Sequence, residues 1–197
     1  MKDMPRITKE PEERRQEILD TSMRLFYEKG YEKTSITDIA KAMHVAQGLC
    51  YRYFASKEEI FDTALEQYAE SLAAQMTKGM KDKEVPLAQL IREMPTFLET
   101  ERDDNFYYKV CHGQENWKIH QQMSMKVCEK MLPAVKEVLD RAVKKGEIVC
   151  KDTQTAASFC VYGQLGILLD RNTEPEQRVQ KIKTFLIEML GVSDNKK

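Results

Sequence analysis

Two short helices joined by a tight turn are predicted by residues 35–54, SITDIAKAMHVAQGLCYRYF. Ser35-x-x-Asp38 is a capping-box pattern, in which the hydroxyl and the carboxylate each satisfy a free backbone donor at a helix start. The apolar stripe of this first helix consists of Ile36, Ile39, Ala40 and Met43. After a turn at residues 44–46, a second short helix is predicted over residues 47–54.

A longer helix is predicted on each side of this stretch. The preceding helix runs from Glu12 to Lys29 and stops at Gly30, the residue type that most readily takes a left-handed backbone. The following helix opens at Ser56-x-x-Glu59, a second capping box, and continues to about Met80. Because this helix extends well beyond the short ones, we expect it to join two helical bundles.

The remainder of the chain also has helical periodicity. Pro86 suits the first turn of the next helix, and Gly146 ends a long helical segment. Residues 155–170 are predicted to form one helix that is apolar on nearly all sides, which implies burial on more than one face. A final helix is predicted over residues 175–190, before Gly191. The sequence has no alternating strand patterns, so the predicted fold is all-α.

Composition and charge narrow the functional classes. The 197 residues carry a net charge of −1, which argues against binding nucleic acid through bulk positive charge. The five cysteines form no C-x-x-C pair, so neither a disulfide framework nor a zinc ribbon is indicated. The N-terminal residues lack the apolar stretch of a signal peptide, and Gln164 interrupts the longest apolar run. We therefore expect a cytoplasmic protein with reduced thiols and no membrane span.

The two short helices fit a helix-turn-helix, whose second helix enters the major groove of DNA while the first braces it. The residues that carry a more specific match are Thr34, Ser35, Ile39, Ala40, Val45, Gly48, Tyr51, Tyr53, Phe54, Ser56, Lys57, Glu58 and Glu59. In order and spacing they resemble the DNA-reading head of the tetracycline-repressor (TetR) family of bacterial regulators, over about residues 12–65.

The resemblance implies a homodimer that binds a near-palindromic operator in double-stranded DNA, and it implies no cofactor. Each subunit is expected to be all-helical, with a three-helix head and a C-terminal helical bundle. We place the head at residues 1–56 and the effector-binding and dimerisation domain at residues 57–197. The implied function is that of a transcriptional regulator, of which repression is the common form.

Two residues depart from the family pattern in the turn. His44 stands where glycine is usual, and a histidine with a left-handed backbone costs roughly 1 kcal/mol relative to glycine. Ala46 stands where serine is common, and alanine cannot supply the N-cap oxygen, which is worth about 1 kcal/mol. We expect an altered turn geometry with DNA binding retained.

The DNA-contacting residues are predicted from their positions in this match. Gln47 is the strongest candidate for a base contact, at the start of the reading helix. Tyr51 is either a base-reaching or a packing residue, whereas Leu49, Cys50 and Phe54 are assigned mainly to the core. The residues that match phosphate-contacting positions are Thr34, Ser35, Tyr53 and Lys57. The full predicted DNA site is Thr34, Ser35, Gln47, Gly48, Leu49, Tyr51, Arg52, Tyr53 and Lys57.

Aromatic and sulfur-containing side chains cluster in the middle of the chain and predict an effector pocket. Ligand pockets are mostly apolar, and flexible methionines adapt to varied shapes, so this composition suits a hydrophobic or aromatic small molecule. The alternative is that each of these residues is simply core. The candidates are Met94, Phe97, Tyr107, Tyr108, Cys111, His112, Trp117, Met125, Cys128 and Tyr162. Their His and Cys spacings match neither a zinc finger nor an H-E-x-x-H site, so no metal is expected.

A dimer interface is predicted on the last two helical segments. Gly163 and Gly166 would allow a close helix approach there, and the final helix would complete a four-helix interface. The predicted interface residues are Phe159, Gly163, Gly166, Ile167, Ile182, Phe185 and Met189. A two-fold axis would place the two heads about 34 Å apart, one turn of DNA.

Control by a ligand requires that the ligand favour a conformation with wrongly spaced heads, and the helix that opens at Ser56 is the expected lever. An alternative is control by a protein partner or by oxidation of a cysteine such as Cys50. An enzyme is not expected, because the sequence has no G-x-S-x-G elbow, phosphate loop or catalytic carboxylate pair.

Overall fold

The computed structural model describes residues 9–95, 106–112, 117–170 and 172–192. Every regular element in these ranges is a helix, which confirms the all-α class. The α-helices are α1 (Pro11–Lys29), α2 (Ile36–Ala42), α3 (Gln47–Tyr51), α4 (Lys57–Met76), α5 (Leu87–Glu93), α6 (Phe106–His112), α7 (Trp117–Lys144), α8 (Thr153–Tyr162), α9 (Leu165–Leu168) and α10 (Pro175–Met189). In the part of the chain so described, no helix has the length and apolar character to cross a membrane.

Helix α1 has the boundaries and the inner face that its sequence predicts. Ile18, Leu19 and Met23 are fully buried along one stripe. The helix stops at Gly30, whose φ is 88° and whose N–H donates to the Phe26 carbonyl at 3.0 Å. A residue with a Cβ is disfavoured at such a φ, so glycine fixes this helix end.

Helix α4 ends earlier than predicted, at Met76 rather than near Met80. The Thr77 hydroxyl donates to the Ala73 carbonyl at 2.7 Å, and a 3₁₀ turn at Lys78–Lys81 follows. A hydroxyl that bonds to the preceding turn is known to bend or tighten a helix at that point. The sequence pattern alone did not reveal this change.

The chain forms two compact units, and the first combines segments that are distant in sequence. It contains α1, α2, α3, the part of α4 up to Tyr68, and α6. Helix α6 packs on α1, where the Tyr107 hydroxyl donates to the Asp20 carboxylate at 2.8 Å. The ring centroids of Tyr27 and Phe106 lie 5.9 Å apart in the same contact. The predicted boundary at residue 56 therefore falls inside this unit, because the start of α4 and α6 share its core.

The second unit is built from the end of α4, α5, most of α7, and α8 to α10. Its central core consists of Leu87, Ile91, Val138, Leu139, Ala142, Ile148, Ala157, Cys160, Ile182 and Leu186. The Glu147 carboxylate accepts the Leu87 backbone N–H at 2.6 Å and so caps the start of α5 from 60 residues away. Pro86 precedes α5 as its N-cap residue and offers no side-chain cap of its own.

The prediction of a single helix over residues 155–170 is wrong, because the helix is interrupted between α8 and α9. The Gln164 side-chain amide donates to the Cys160 carbonyl at 2.8 Å. That carbonyl is the acceptor that the Gln164 backbone N–H would use in a continuous α-helix. Gly163 stands at the break, where an added Cβ would lie 2.6 Å from the Phe159 carbonyl oxygen. Gly163 thus serves the local backbone geometry.

Candidate nucleic-acid interface and effector cleft

Helix α2 begins with the capping box that its sequence predicts. The Asp38 N–H donates to the Ser35 hydroxyl oxygen at 3.2 Å, and the Ser35 N–H donates to the Asp38 carboxylate at 3.0 Å. Hydrogen bonds from Ser35 hold the pKa of the Asp38 carboxyl below its usual value. This reciprocal cap fixes where the helix-turn-helix begins.

The turn after α2 is a Schellman motif with histidine at its left-handed position. The His44 N–H donates to the Lys41 carbonyl at 3.1 Å, and the Val45 N–H donates to the Ala40 carbonyl at 3.0 Å. His44 has a φ of 56°, the only positive φ among the non-glycine residues that the structure describes. His44 takes the expected left-handed backbone, and both hydrogen bonds of the Schellman motif form, so the expectation of an altered turn geometry is wrong.

Helix α3 is short and has an uncapped N-terminus. Ala46 is the N-cap residue, and no side chain accepts a hydrogen bond there, as the substitution for serine predicts. The helix ends at Tyr51 instead of continuing to Phe54. Cys50 within the helix and Phe54 after its end are both buried, as their assignment mainly to the core predicts.

The outer surface of α3 carries most of the predicted base-contacting residues. Gln47, Gly48 and Arg52 are exposed, and Tyr51 is 51% exposed. Leu49 is half-buried, which agrees with its assignment mainly to packing. The structure thus separates an exposed polar face from a buried one within a helix of five residues.

The predicted phosphate-contacting residues have different surroundings. Ser35 is exposed and Tyr53 is half-buried, whereas Thr34 is buried. The Thr34 hydroxyl donates to the Gly30 carbonyl at 2.9 Å and lies 3.3 Å from that of Leu25. Its side chain stabilises the turn after α1 and is not available to DNA, which corrects the expectation for this residue.

Lys57 is held at the first position of α4 by a residue that the sequence analysis did not single out. Its ammonium donates to the Tyr31 carbonyl at 2.9 Å and lies 4.2 Å from the centroid of the Tyr31 ring. Both side chains are half-buried. An aromatic residue directly after the Gly30 stop is the only sequence signal that points to this contact.

The second unit contains an apolar cleft with about 540 Å³ of empty space, part of it open to solvent. Its lining within the described residues consists of Met80, Leu87, Leu90, Ile91, Met94, Met131, Val135, Val138, Leu139, Cys160, Val161, Gln164, Leu186 and Leu190. Gln164 is the polar side chain in this set. Of the ten predicted pocket residues, Met94 lines the cleft.

The other predicted pocket residues lie elsewhere. Tyr107, Tyr108 and Cys111 are on α6 in the first unit, and the Tyr107 hydroxyl is bonded to Asp20. Met125 is 45% exposed, because it lies on the solvent face of α7. Three more are described only in part or not at all: Phe97 lies outside the described residues, as do the side chains of His112 and Trp117.

Two further pocket candidates lie in the second unit. Cys128 is buried and donates its thiol to the Val161 carbonyl, at 3.6 Å. Burial raises the pKa of this thiol to about 11. Tyr162 is half-buried, and desolvation together with Glu129 raises its pKa. Neither residue lines the cleft.

The predicted interface residues divide into exposed and buried groups. Phe159 is 66% exposed, Phe185 57% and Met189 40%, and all three are on α8 or α10. Ile182 is buried in the core of its own unit, so its predicted place in an interface is corrected. Ile167 packs partly against the same core, and Gly163 and Gly166 are exposed.

Among the described residues, no group of three or more His, Cys, Asp or Glu side chains is arranged to bind a metal ion. A short exposed helix set on a capped partner helix by a tight turn is the architecture of a DNA-reading helix-turn-helix. The first unit therefore defines a DNA-binding protein of the helix-turn-helix class.

Comparisons with known proteins find similar regulators. Residues 18–64 match the profile of "Bacterial regulatory proteins, tetR family". The transcriptional regulator YvdT of Bacillus subtilis is 29% identical over 195 residues, a match that covers 90% of this chain and 95% of YvdT. The transcriptional repressor KstR2 of Mycobacterium tuberculosis is 32% identical over 87 residues, 44% of each chain. A solved TetR-family regulator from Pectobacterium atrosepticum shares the fold, with a TM-score of 0.66, 19% identity and coverage of 94% of this chain and 97% of that one.

Residues 18–64 thus match the DNA-binding head of the TetR family, and the relatives and solved structures that this chain resembles are bacterial DNA-binding transcriptional regulators of that family. Proteins of this family bind DNA operators and typically act as dimers. The family and the relatives are transcriptional regulators and not enzymes, which confirms the functional class that the sequence predicts.

Proposed function

We propose that the protein is a sequence-specific repressor whose α3 surface reads the operator. The observation that carries this proposal is the exposed set of Gln47, Tyr51 and Arg52 above a buried Cys50 and Phe54. Amide and guanidinium groups are the side chains that most often form bidentate contacts with base edges. The relative KstR2 is named as a repressor, which supports repression as the mode of action.

Gly48 and the phosphate-contacting residues position this surface. An added Cβ at Gly48 would meet nothing within 4 Å in the protein, so the missing side chain leaves room for DNA to approach the backbone. Tyr53 and Lys57 donate to phosphates. Thr34 and Ser35 are left out, because the Thr34 hydroxyl donates to the Gly30 carbonyl and the Ser35 hydroxyl donates to the Asp38 carboxylate.

Two copies of the chain form the functional unit on a near-palindromic operator. Phe159, Phe185 and Met189 supply exposed apolar side chains on α8 and α10, and aromatic residues are common anchors of interfaces. Two-fold symmetry of this face would present two heads to half-sites about 34 Å apart.

A hydrophobic small molecule releases the repressor by entering the cleft of the second unit. The lining offers aliphatic and methionine side chains, which suit an aliphatic ligand at least as well as an aromatic one. A ligand shifts the DNA-binding equilibrium by as much as its affinities for the two conformations differ. Val135→Phe, which fills the cleft, should abolish release from the operator and retain operator affinity, whereas Met125→Leu on the exposed face should change neither.

Control by oxidation of Cys50 is the second candidate, and the surroundings of Cys50 disfavour it. The thiol is fully buried, and desolvation raises its pKa, which lowers the reactive thiolate fraction. Cys150 is the one half-buried thiol of the five, so alkylation of the native protein should modify Cys150 first and leave operator binding intact. Loss of binding in step with Cys50 modification would favour the redox alternative.

The deciding experiment is selection of bound duplexes from a random pool by the purified full-length protein, at several salt concentrations. We expect enrichment of a near-palindrome with half-sites one DNA turn apart. Gln47→Ala should then relax the preference at one base pair per half-site by about 1–3 kcal/mol. Gln75→Ala, an exposed glutamine on α4, is the matched control. Failure to enrich any sequence at any salt concentration would refute the proposal.

A further inference from the structure

We propose that Tyr31 is a positioning residue for DNA binding, which holds the Lys57 ammonium ready for an operator phosphate. The inference rests on the proposed phosphate contact of Lys57 and assigns a role to a residue outside the reading helix. Tyr31 supplies two contacts to one ammonium group. Its carbonyl accepts a hydrogen bond at 2.9 Å, and its ring centroid lies 4.2 Å from Nζ.

The ring of Tyr31 is itself fixed by packing. Its centroid lies 5.1 Å from that of Phe26 and 5.0 Å from that of Phe61, and both phenylalanines are buried. At the other end of the ring, the hydroxyl lies near the Glu58 carboxylate. Burial and Glu58 raise the pKa of Tyr31 to about 12, so the ring stays neutral at physiological pH.

The Tyr31 carbonyl has a second function in the same turn. It also accepts the Thr34 N–H at 3.2 Å, which closes the connection between α1 and α2. Lys57 is thereby tied to the turn that precedes the Ser35 cap. The ammonium carries three donors, so the Tyr31 carbonyl leaves two for a phosphate oxygen.

Preorganisation is the physical reason for an effect on affinity. A free lysine side chain has many rotamers, and fixing one of them on DNA costs conformational entropy. A cation over an aromatic ring at an exposed site is worth about 0.5–1 kcal/mol, which corresponds to about a two- to fivefold change in Kd. Loss of the ring should therefore weaken operator binding by about that factor for each subunit of the dimer.

The test measures Kd of the full-length protein for the duplex that the wild type selects, across a salt series. We compare Tyr31→Phe, Tyr31→Leu, Lys57→Ala and the double variant Tyr31→Leu/Lys57→Ala. Tyr31→Phe should bind as the wild type, and Tyr31→Leu should bind about two- to fivefold more weakly per subunit. Lys57→Ala should lower the slope of log K against log salt by about 0.9 per subunit, and adding Tyr31→Leu should weaken binding no further.

The cycle separates positioning from a merely structural role. If Tyr31→Leu weakens binding by the same factor with and without Lys57, or if Tyr31→Phe is as weak as Tyr31→Leu, the proposal is overturned. If Lys57→Ala changes neither affinity nor salt slope, the phosphate contact of Lys57 is wrong while sequence-specific binding by the wild type still stands. The proposed function fails separately, at the selection step.

A measurement on the wild type covers the case in which Tyr31→Leu does not fold. In lysine-labelled protein, the side-chain methylene protons of Lys57 should be shifted upfield by the ring current of Tyr31. Lys41→Ala and Lys57→Ala spectra assign the signals. Random-coil shifts for Lys57 would overturn the proposal without any Tyr31 variant.

Discussion

His44 is a residue with a Cβ at a left-handed position of a turn, and the turn forms nevertheless. The Schellman hydrogen bonds of His44 and Val45 are intact, although His44 has a φ of 56° and carries a Cβ. We predict that His44→Gly stabilises the protein by about 1 kcal/mol, because relief of left-handed strain exceeds the extra entropy of glycine in the unfolded chain. Urea unfolding monitored by circular dichroism measures the change. His44→Ala keeps a Cβ and should give no stabilisation, and equal gains for alanine and glycine would contradict the strain.

The sequence predicted this strain because backbone conformation in a tight turn depends on local residue types. The Tyr31 contact with Lys57 was not predicted, since it joins residues 26 positions apart through a carbonyl that no side-chain pattern marks. The same limit applies to Thr34, whose hydroxyl was assigned to phosphate until the structure placed it against the Gly30 carbonyl. Residue type predicted which side chains form polar contacts, whereas only the three-dimensional structure shows whether the partner of each lies within the protein.

At the scale of elements, α3 is the least supported helix of the head. It has five residues, its N-cap is Ala46, and no side chain accepts a hydrogen bond from its first turn. We predict that Ala46→Ser raises the stability of the protein by about 1 kcal/mol, because a serine hydroxyl satisfies one free N–H. Thermal unfolding gives the change, and Ala46→Val, which has no acceptor, is the control. An equal gain from valine would show that capping is not the cause.

The break between α8 and α9 gives a second prediction at this scale. Gly163→Ala should destabilise the protein by about 1–3 kcal/mol, because its Cβ would lie 2.6 Å from the Phe159 carbonyl oxygen. Gly166→Ala is the matched control, since an added Cβ there meets nothing within 4 Å and should be neutral or slightly stabilising. Chemical denaturation measures the free energy of unfolding of both variants, and equal values would contradict the predicted steric conflict at Gly163.

Helix existence was predictable from the sequence, whereas helix ends and interruptions were predictable only where a cap or a glycine stop marks them. Ser35, Gly30 and Gly191 mark such ends, and the helices that they border have the expected bounds. The helix is interrupted at Gln164, where the side-chain amide donates a hydrogen bond to the Cys160 carbonyl. Hydrophobic periodicity does not predict such a bond.

At the scale of the whole molecule, the proposed dimer gives the sharpest prediction. Phe185→Lys should convert the dimer to a monomer at micromolar concentration, because a buried lysine without a partner charge opposes association. Sedimentation velocity measures the mass, and operator affinity should fall with it. Met125→Lys changes an exposed methionine on α7 in the same way and should leave the dimer intact. A dimeric Phe185→Lys protein would place the interface elsewhere.

The return of the chain to its first unit at α6 limits how far the DNA-reading head can be separated from the rest. A fragment that ends at Tyr68 keeps α1 to α3 and loses the partners of Asp20, Tyr27 and Tyr68. The head is therefore not a unit that can be exchanged by itself. A chimaera that joins residues 1–68 to another regulator would expose the aromatic side chains that α6 covers in this protein. Transplantation of the operator specificity calls for exchange of the α3 surface alone, inside an otherwise intact chain.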